Sequence, residues 1–64
     1  MSENDLRNTI IDNLREHPEG LTIQSIAEIT GINRMTVSKY VLVLSVEGTL
    51  LQRRIGRAKL CNLV

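Results

Sequence analysis

Apolar residues recur at helical spacing near the start of the chain, where Leu6, Ile10 and Leu14 follow one another at steps of four. This spacing predicts a first helix over about residues 3–16. The segment Ser2–Asp5 fits a helix-capping pattern, in which the hydroxyl oxygen accepts a hydrogen bond from an otherwise unpaired backbone N–H group. A proline shortly after the helix disfavours its continuation.

Two further helices are predicted on either side of a glycine. The first covers about residues 23–30, with Thr22 as its N-cap and Gly31 as its C-cap. Its inward face is predicted to hold Ile23, Ile26, Ala27 and Ile29. Asn33 is the expected N-cap of the next helix, over about residues 34–47. A short helix, a turn that contains glycine and a second helix form a helix-turn-helix.

The rest of the chain changes from helix-like to strand-like after Gly48. The core face of the third helix is predicted to hold Val37, Tyr40, Val41 and Leu44, at i, i+3, i+4 and i+7. Residues 49–55 and 58–64 then flank a Gly-Arg turn, which predicts a β-hairpin over about residues 49–64. The predicted fold is mainly α with a small β-hairpin, in one domain over residues 1–64.

The composition excludes several sources of stability. A chain of 64 residues buries only about 60% of its unfolded surface. Cys61 is the only cysteine, so no disulfide forms within the chain, and Cys61 with His17 is too small a ligand set for zinc. Self-association or binding to a larger partner therefore remains as a source of additional folding stability. We expect no metal and no cofactor.

Membrane and catalytic functions also have little support. No apolar run reaches the ~18 residues of a membrane span, and the first residues do not resemble a signal peptide. We therefore expect a cytoplasmic protein without a membrane partner. No acid or nucleophile accompanies His17 in the sequence, and the isolated glycines match no phosphate-binding loop. We expect no enzyme and predict no catalytic residue.

The formal net charge of +1 hides a division between two halves. Residues 1–32 carry two arginines against six acidic residues, a net charge of −4, whereas residues 33–64 carry six basic residues against Glu47, a net charge of +5. Such asymmetry points to contact with nucleic acid or a membrane surface. The alternative is a solvated surface, because exposed hairpins often carry basic residues along their edges. The basic residues fall on the third helix and the hairpin, and this placement favours duplex DNA.

Residues 21–63 resemble the winged helix-turn-helix family of bacterial and archaeal transcription regulators, of the IclR, ArsR and MarR type. Leu21–Ile32 looks like the supporting helix and turn of that family, and Asn33–Gly48 is similar to its recognition helix. Ile55–Leu60 resembles a wing, especially that of archaeal members. The resemblance implies a sequence-specific regulator of transcription that binds double-stranded DNA, with the recognition helix in the major groove and the wing at the minor groove or backbone.

The resemblance also implies which helical residues meet DNA. Arg34 and Lys39 are the candidates to donate hydrogen bonds to the acceptors on guanine. Of the two, only Arg34 can do so in a bidentate manner. The N-terminus of the supporting helix is a candidate phosphate site. Short hydroxyls on the recognition helix suit phosphate or base contacts, although a solvated surface explains them equally well. The implied DNA-binding residues of the two helices are Thr22, Gln24, Asn33, Arg34, Met35, Thr36, Ser38 and Lys39.

Four basic residues of the wing complete the implied interface. Arg57 follows the glycine at the predicted tip, where a guanidinium suits a narrow minor groove over A·T-rich DNA. Arg53, Arg54 and Lys59 would line the strands. Strand alternation puts Arg53 and Arg54 on opposite faces, so they do not meet the same groove.

An apolar stripe departs from the family pattern. Met35, Leu42 and Val46 lie opposite the core face of the third helix, and Val43 is apolar where related proteins often carry charge. Either the first helix or the hairpin covers this stripe, or it joins a partner, most simply a second copy. The predicted interface residues are Leu42, Val43 and Val46.

We therefore expect double-stranded DNA and a second copy of the chain as partners. No small-molecule ligand is expected, because the sequence leaves no room for a separate ligand-binding domain. The alternative function is a protein-interaction winged helix, whose apolar stripe docks a larger transcription or replication assembly.

Overall fold

The computed structural model of this protein describes residues 3–64. Three helices are followed by a two-stranded antiparallel hairpin, which confirms the predicted fold class. The elements are α1 (Glu3–Glu16), α2 (Ile23–Thr30), α3 (Arg34–Val46), β1 (Leu50–Ile55) and β2 (Ala58–Leu63). The cap predicted over the segment Ser2–Asp5 depends on Ser2, which lies outside the described residues.

Short polar side chains set the points where α2 and α3 begin. Thr22 Oγ1 accepts a hydrogen bond from the Ser25 N–H at 3.0 Å, as the N-cap of α2. Asn33 Oδ1 accepts one from the Met35 N–H at 2.8 Å, at the start of α3. Between the two helices, Gly31 adopts the left-handed conformation with φ of 73°, which closes α2 as predicted. These caps hold the turn of the helix-turn-helix.

All five elements contribute to one hydrophobic core. Its buried members are Ile10, Leu14, Leu21, Ile26, Val37, Val41, Leu44, Leu50 and Cys61. Burial raises the pKa of the Cys61 thiol, because loss of water penalises the thiolate. The expectation for Ile29 is wrong, since its side chain is 51% exposed. At 100° per residue, Ile29 lies about 110° from the middle of the face that Ile23, Ile26 and Ala27 form, so it turns toward solvent.

The hairpin of β1 and β2, called the wing below, is attached to the helices at its base. A bridge joins Leu21 to Cys61 of β2, with N–H to carbonyl distances of 3.1 and 2.7 Å. At the other end, Gly56 has a φ of 60° and occupies the first central position of a two-residue turn, the arrangement of a type II′ hairpin. The turn leaves Arg57 at the tip of the wing, where the sequence predicts it.

One ion pair connects α1 to the end of α3. Arg7 places both terminal nitrogens on the Glu47 carboxylate, at 2.7 and 2.6 Å. The hydrogen bond from Arg7 holds the pKa of Glu47 below its ordinary value, and the same contact raises the pKa of Arg7. The pair neutralises the single acidic residue of the second half of the chain.

The described residues contain neither a membrane-spanning helix nor a cluster of metal ligands. No helix within residues 3–64 is long and apolar enough to cross a bilayer. Over the same residues, His, Cys, Asp and Glu side chains form no group of three or more that could hold a metal ion. His17 lies in the turn after α1, where its Nδ1 is 3.4 Å from Glu19 Oε2.

Candidate nucleic-acid interface

Two adjoining clefts open between the helices and the wing. The first, called the α2–wing cleft, has a volume of about 280 Å³ and is lined by Thr22, Ile23, Gln24, Arg34, Arg57, Ala58 and Lys59. The second, called the α3–wing groove, has a volume of about 400 Å³ and is lined by Ile23, Met35, Ser38, Lys39, Val41, Leu42, Gln52 and Lys59. Because Ile23 and Lys59 line both, the two clefts form one continuous surface.

This surface brings together most of the residues that the sequence predicts to bind DNA. Those that line one or both clefts are Thr22, Gln24, Arg34, Met35, Ser38, Lys39, Arg57 and Lys59. Four predicted residues line neither cleft. Asn33 caps α3 through its side chain, and Thr36 is half-buried on another side of the same helix. Arg53 and Arg54 are exposed on β1.

Among residues 3–64, the basic side chains of the interface form no ion pair. Within residues 3–64, the ion pairs are Arg7–Glu47, Arg15–Asp12 and His17–Glu19. None of them involves the basic residues of α3 and the wing, which are Arg34, Lys39, Arg53, Arg54, Arg57 and Lys59. These cations are available to an anionic ligand, and no acid of the described chain competes for them.

The N-terminus of α2 forms one wall of the α2–wing cleft. The first N–H groups of a helix lack intrahelical acceptors, and the helix dipole favours an anion there. The Thr22 hydroxyl is already engaged, since it accepts from the Ser25 N–H at 3.0 Å and donates to Ser25 Oγ at 2.9 Å. An anion at this end of α2 would therefore meet backbone N–H groups, with Arg34 and Arg57 as its charged neighbours.

The strand register puts two like charges side by side on the wing. Arg54 of β1 lies directly opposite Lys59 of β2, so both side chains share one face of the hairpin. Arg53 lies opposite Leu60 on the other face. Like charges that face each other across a sheet are destabilising. A phosphate beside Arg54 and Lys59 would relieve this repulsion.

Gln52 is a residue of this surface that the sequence analysis missed. Its Nε2 donates to Ser45 Oγ at 3.1 Å, and the Ser45 hydroxyl donates to the Val41 carbonyl at 2.8 Å. This chain of hydrogen bonds ties β1 to α3 beside the α3–wing groove. Gln52 is exposed, but strand alternation puts it on the same face of the hairpin as Leu50, and this spacing of two was available in the sequence.

The apolar stripe of α3 lies on the surface. Met35 is 82% exposed, Leu42 is 61% exposed and Val46 is 81% exposed, and Val43 beside them is also exposed. The interpretation in which α1 or the wing covers the stripe is therefore wrong for the described chain. The core face of α3 lies on the opposite side of the helix. It is formed by Val37, Val41 and Leu44, which are all buried and pack against the other elements. We call Leu42, Val43 and Val46 the α3 apolar patch.

Comparisons with known proteins agree with this fold. A family model described as an HTH domain matches residues 6–56. In structure, the chain is similar to the PcaV transcriptional regulator from Streptomyces coelicolor, which was crystallised in complex with its natural ligand. The match has a TM-score of 0.86 at 25% sequence identity and covers 100% of this chain and 45% of the PcaV chain. No curated protein matches the sequence.

Proposed function

The chain belongs to the helix-turn-helix domain family, in the winged form, and from this premise we propose that it is a sequence-specific regulator of transcription that binds double-stranded DNA. The family and the fold are those of DNA-binding regulators and not of enzymes. The observation that carries the proposal is the set of unpaired cations on α3 and the wing, around two adjoining clefts. Such a surface matches a phosphate backbone in charge.

In this proposal, α3 enters the major groove through its N-terminal half. The first residues of a recognition helix meet base edges, so Arg34 and Lys39 contact acceptors on guanine. Ser38 lies between them on the exposed side of the helix. The N-terminus of α2 binds a backbone phosphate through its N–H groups, and Gln24 beside it adds a polar contact. Phosphate contacts of this kind set the register, and base contacts provide sequence preference.

The wing binds the flanking backbone and the adjacent minor groove. Arg57 at its tip reaches the minor groove, where a narrow A·T-rich segment has the most negative potential. Arg54 and Lys59 share one face of the hairpin and hold a phosphate there. Arg53 lies on the opposite face, so it contributes through its long-range field and not through contact with the same groove.

We further propose that the protein acts as a homodimer through the α3 apolar patch. Leu42, Val43 and Val46 are exposed together in the C-terminal half of α3, and Leu42 also lines the edge of the α3–wing groove. Glu47, which follows Val46 in the chain, is paired with Arg7, so this ion pair adds no net charge to that end of the patch. A dimer of this kind binds half-sites about one helical turn, roughly 34–36 Å, apart.

A second candidate function rests on the same patch. A protein-interaction winged helix would use Leu42, Val43 and Val46 to dock a larger transcription or replication assembly. Binding through an apolar patch changes little with salt, whereas binding through phosphates weakens steeply. The two functions are therefore separable by the same measurement.

A salt series with random-sequence duplex DNA tests the proposed function. The affinity should fall with rising salt, and the slope of log affinity against log salt should be about −0.9 for each phosphate contacted. Arg15→Ala is the matched control for the loss of one positive charge, because Arg15 lies on α1, where its nitrogen is 3.6 Å from the Asp12 carboxylate. An affinity that is absent, or that does not respond to salt, would contradict DNA binding and favour the second candidate.

Sedimentation at micromolar concentration tests the dimer. We expect a concentration-dependent dimer that Leu42→Glu or Val46→Glu converts to a monomer without loss of helical signal, because both side chains are exposed in the monomer. A wild-type chain that stays monomeric when bound to DNA would overturn the homodimer.

The cellular setting follows from the proposed target. A regulator that acts on DNA in a bacterium or an archaeon works in the cytoplasm, where its buried thiol at Cys61 remains reduced. The archaeal character of the wing and the absence of a small-molecule ligand stay predictions. The chain spans 45% of the length of PcaV.

A further inference from the structure

We propose that Met35 reads a C5-methyl group in the major groove, that of thymine or of 5-methylcytosine. The proposal rests on the function proposed above and adds a chemical preference to it. The target sequence would carry such a methyl group opposite the first turn of α3. The inference comes from the position of Met35, from the charges around it and from the chemistry of the groove.

Met35 occupies a base-reading position with an apolar side chain. Its N–H donates to Asn33 Oδ1 at 2.8 Å, so its place in the first turn of α3 is fixed by the cap. Met35 is 82% exposed, compared with 61% for Leu42. The N-terminal residues of a recognition helix are those that reach base edges. An apolar side chain at this point has no role in the core of the described chain.

The surroundings of Met35 favour a ligand with an apolar centre and anionic borders. Met35 lines the α3–wing groove together with Lys39 on α3 and Lys59 on β2. Neither lysine has an acidic partner in residues 3–64. The major groove of DNA has this arrangement, because phosphates border it and the thymine methyl is the apolar group that bases present within it.

A second copy of the chain suits this surface less well than DNA does. Two copies that met at Met35 would bring Lys39 and Lys59 of each toward those of the other, and unpaired like charges in contact are unfavourable. Leu42 lies about 10 Å further along the helix than Met35 at 1.5 Å per residue and lines the same groove, whereas Val43 and Val46, the rest of the α3 apolar patch, line neither cleft. Val46 is followed in the chain by Glu47, whose charge is paired with that of Arg7. Met35 therefore suits a different partner from Val43 and Val46.

Selected duplexes test the inference with the intact chain. Binding sequences are first selected from a random-sequence duplex pool, and the best duplex is then made with deoxyuridine in place of one thymidine at a time. We expect about a fourfold loss of affinity at one or two positions, the effect of removing one buried methyl group. Met35→Gln should remove this difference between thymine and uracil, and Met35→Leu should retain it. Since Met35 is exposed, both variants should fold.

A second pool, in which every cytosine carries a C5-methyl group, distinguishes the two sources of the methyl. Enrichment of 5-methylcytosine at the same position identifies the methyl group itself as the feature that Met35 reads. Continued enrichment of thymine alone identifies thymine, through the methyl together with its ring acceptor. Both outcomes support a methyl-reading Met35.

Arg57→Ala provides the matched control and separates this inference from the proposed function. Arg57 lies at the tip of the wing, so its loss should weaken thymine and uracil duplexes by the same factor. Duplexes that bind but show no uracil effect at any position would overturn the role of Met35 and leave DNA binding intact. A uracil effect that persists unchanged in Met35→Gln would also overturn it. Absence of binding to every duplex would overturn both.

Discussion

The two halves of the chain use their charges in opposite ways. In residues 3–32, Arg7 and Arg15 each lie beside a carboxylate, at 2.6 and 3.6 Å. In residues 33–64, the basic side chains have no such partner within the described chain, and the single acid, Glu47, is held by Arg7. A charge that is paired within the fold contributes to structure, whereas an unpaired charge remains available to a ligand. Under the proposed function, the second half supplies the charged contacts, and the first half supplies the scaffold together with the N-terminus of α2 at the α2–wing cleft.

Exposed apolar side chains follow the same division. Among the described residues, the large apolar side chains left exposed are Ile29, Met35, Leu42, Val43, Val46, Leu51, Ile55 and Val64. All of them except Ile29 lie in the second half of the chain. Exposed apolar area of this kind marks candidate surfaces for partners. The second half therefore carries two kinds of candidate contact surface, one basic and one apolar.

The largest expected effect separates the buried face of α3 from its exposed face. Leu44→Ala should destabilise the protein by about 2–5 kcal/mol, because it removes a fully buried side chain and leaves a cavity. Leu42→Ala, two residues earlier and exposed, should change the stability of the monomer by less than about 0.5 kcal/mol. Urea unfolding at dilute concentration measures both. Equal losses in the two variants would contradict the exposure of the α3 apolar patch.

The next effect tests whether unpaired and paired arginines differ in function. Arg34→Ala should cost about 1–3 kcal/mol of affinity for a selected duplex and should relax its sequence preference, because a base contact is lost. Its stability should change by less than about 0.5 kcal/mol, since Arg34 is exposed. A binding titration and a melting curve together measure the two effects.

Arg15→Ala is the control for this prediction. Arg15 is exposed on α1, and its partner Asp12 is exposed too. Its loss should leave both affinity and sequence preference close to those of the wild type. If Arg34→Ala binds the selected duplex as tightly as the wild type, α3 is not the reading helix.

A smaller effect compares the two faces of the wing. Arg54→Ala should reduce the salt slope of DNA binding by about 1 and weaken all sequences alike, because it removes one phosphate contact. Arg53→Ala should change the slope less, since Arg53 lies on the face opposite to Lys59. A salt series for each variant makes the comparison. A larger slope change in Arg53→Ala would show that the other face of the wing meets DNA.

Features set by local chemistry were predictable from the sequence. Thr22, Gly31 and Asn33 occupy the capping positions predicted for them, because a cap depends on residues only two to four positions away. The helix-turn-helix and the Gly56 turn follow from the same local rules. Most of the candidate interface was also predictable, because the fold brings α3 and the wing side by side.

Features that depend on distant packing were not predictable. The pair of Arg7 and Glu47 joins residues 40 positions apart, and periodicity carries no signal for it. Whether the wing covers Leu42 and Val46 depends on the angle at which the hairpin leaves α3, and the hydrogen bond from Gln52 to Ser45 helps to set that attachment. Ile29 was misassigned because an apolar residue at the edge of a helical face can turn either toward the core or toward solvent. Which of the two occurs depends on how the neighbouring elements pack against the helix.

The smallest expected effect concerns the ion pair of Arg7 and Glu47, which joins the two halves. The pKa of Glu47 is lowered in the folded protein by the hydrogen bond from Arg7, so its contribution to stability is present above its ordinary pKa of 4.5 and is lost as the pH falls through the lower folded value. Glu47→Gln should therefore lower the melting temperature slightly at neutral pH, and the difference should vanish in acid. Low salt should enlarge it, because the pair is solvent-accessible. Asp12→Asn, at the more exposed and longer contact with Arg15, should show a smaller difference or none. Melting curves across the pH range that show a constant offset for Glu47→Gln would mean that the side chain acts through packing and not through its charge.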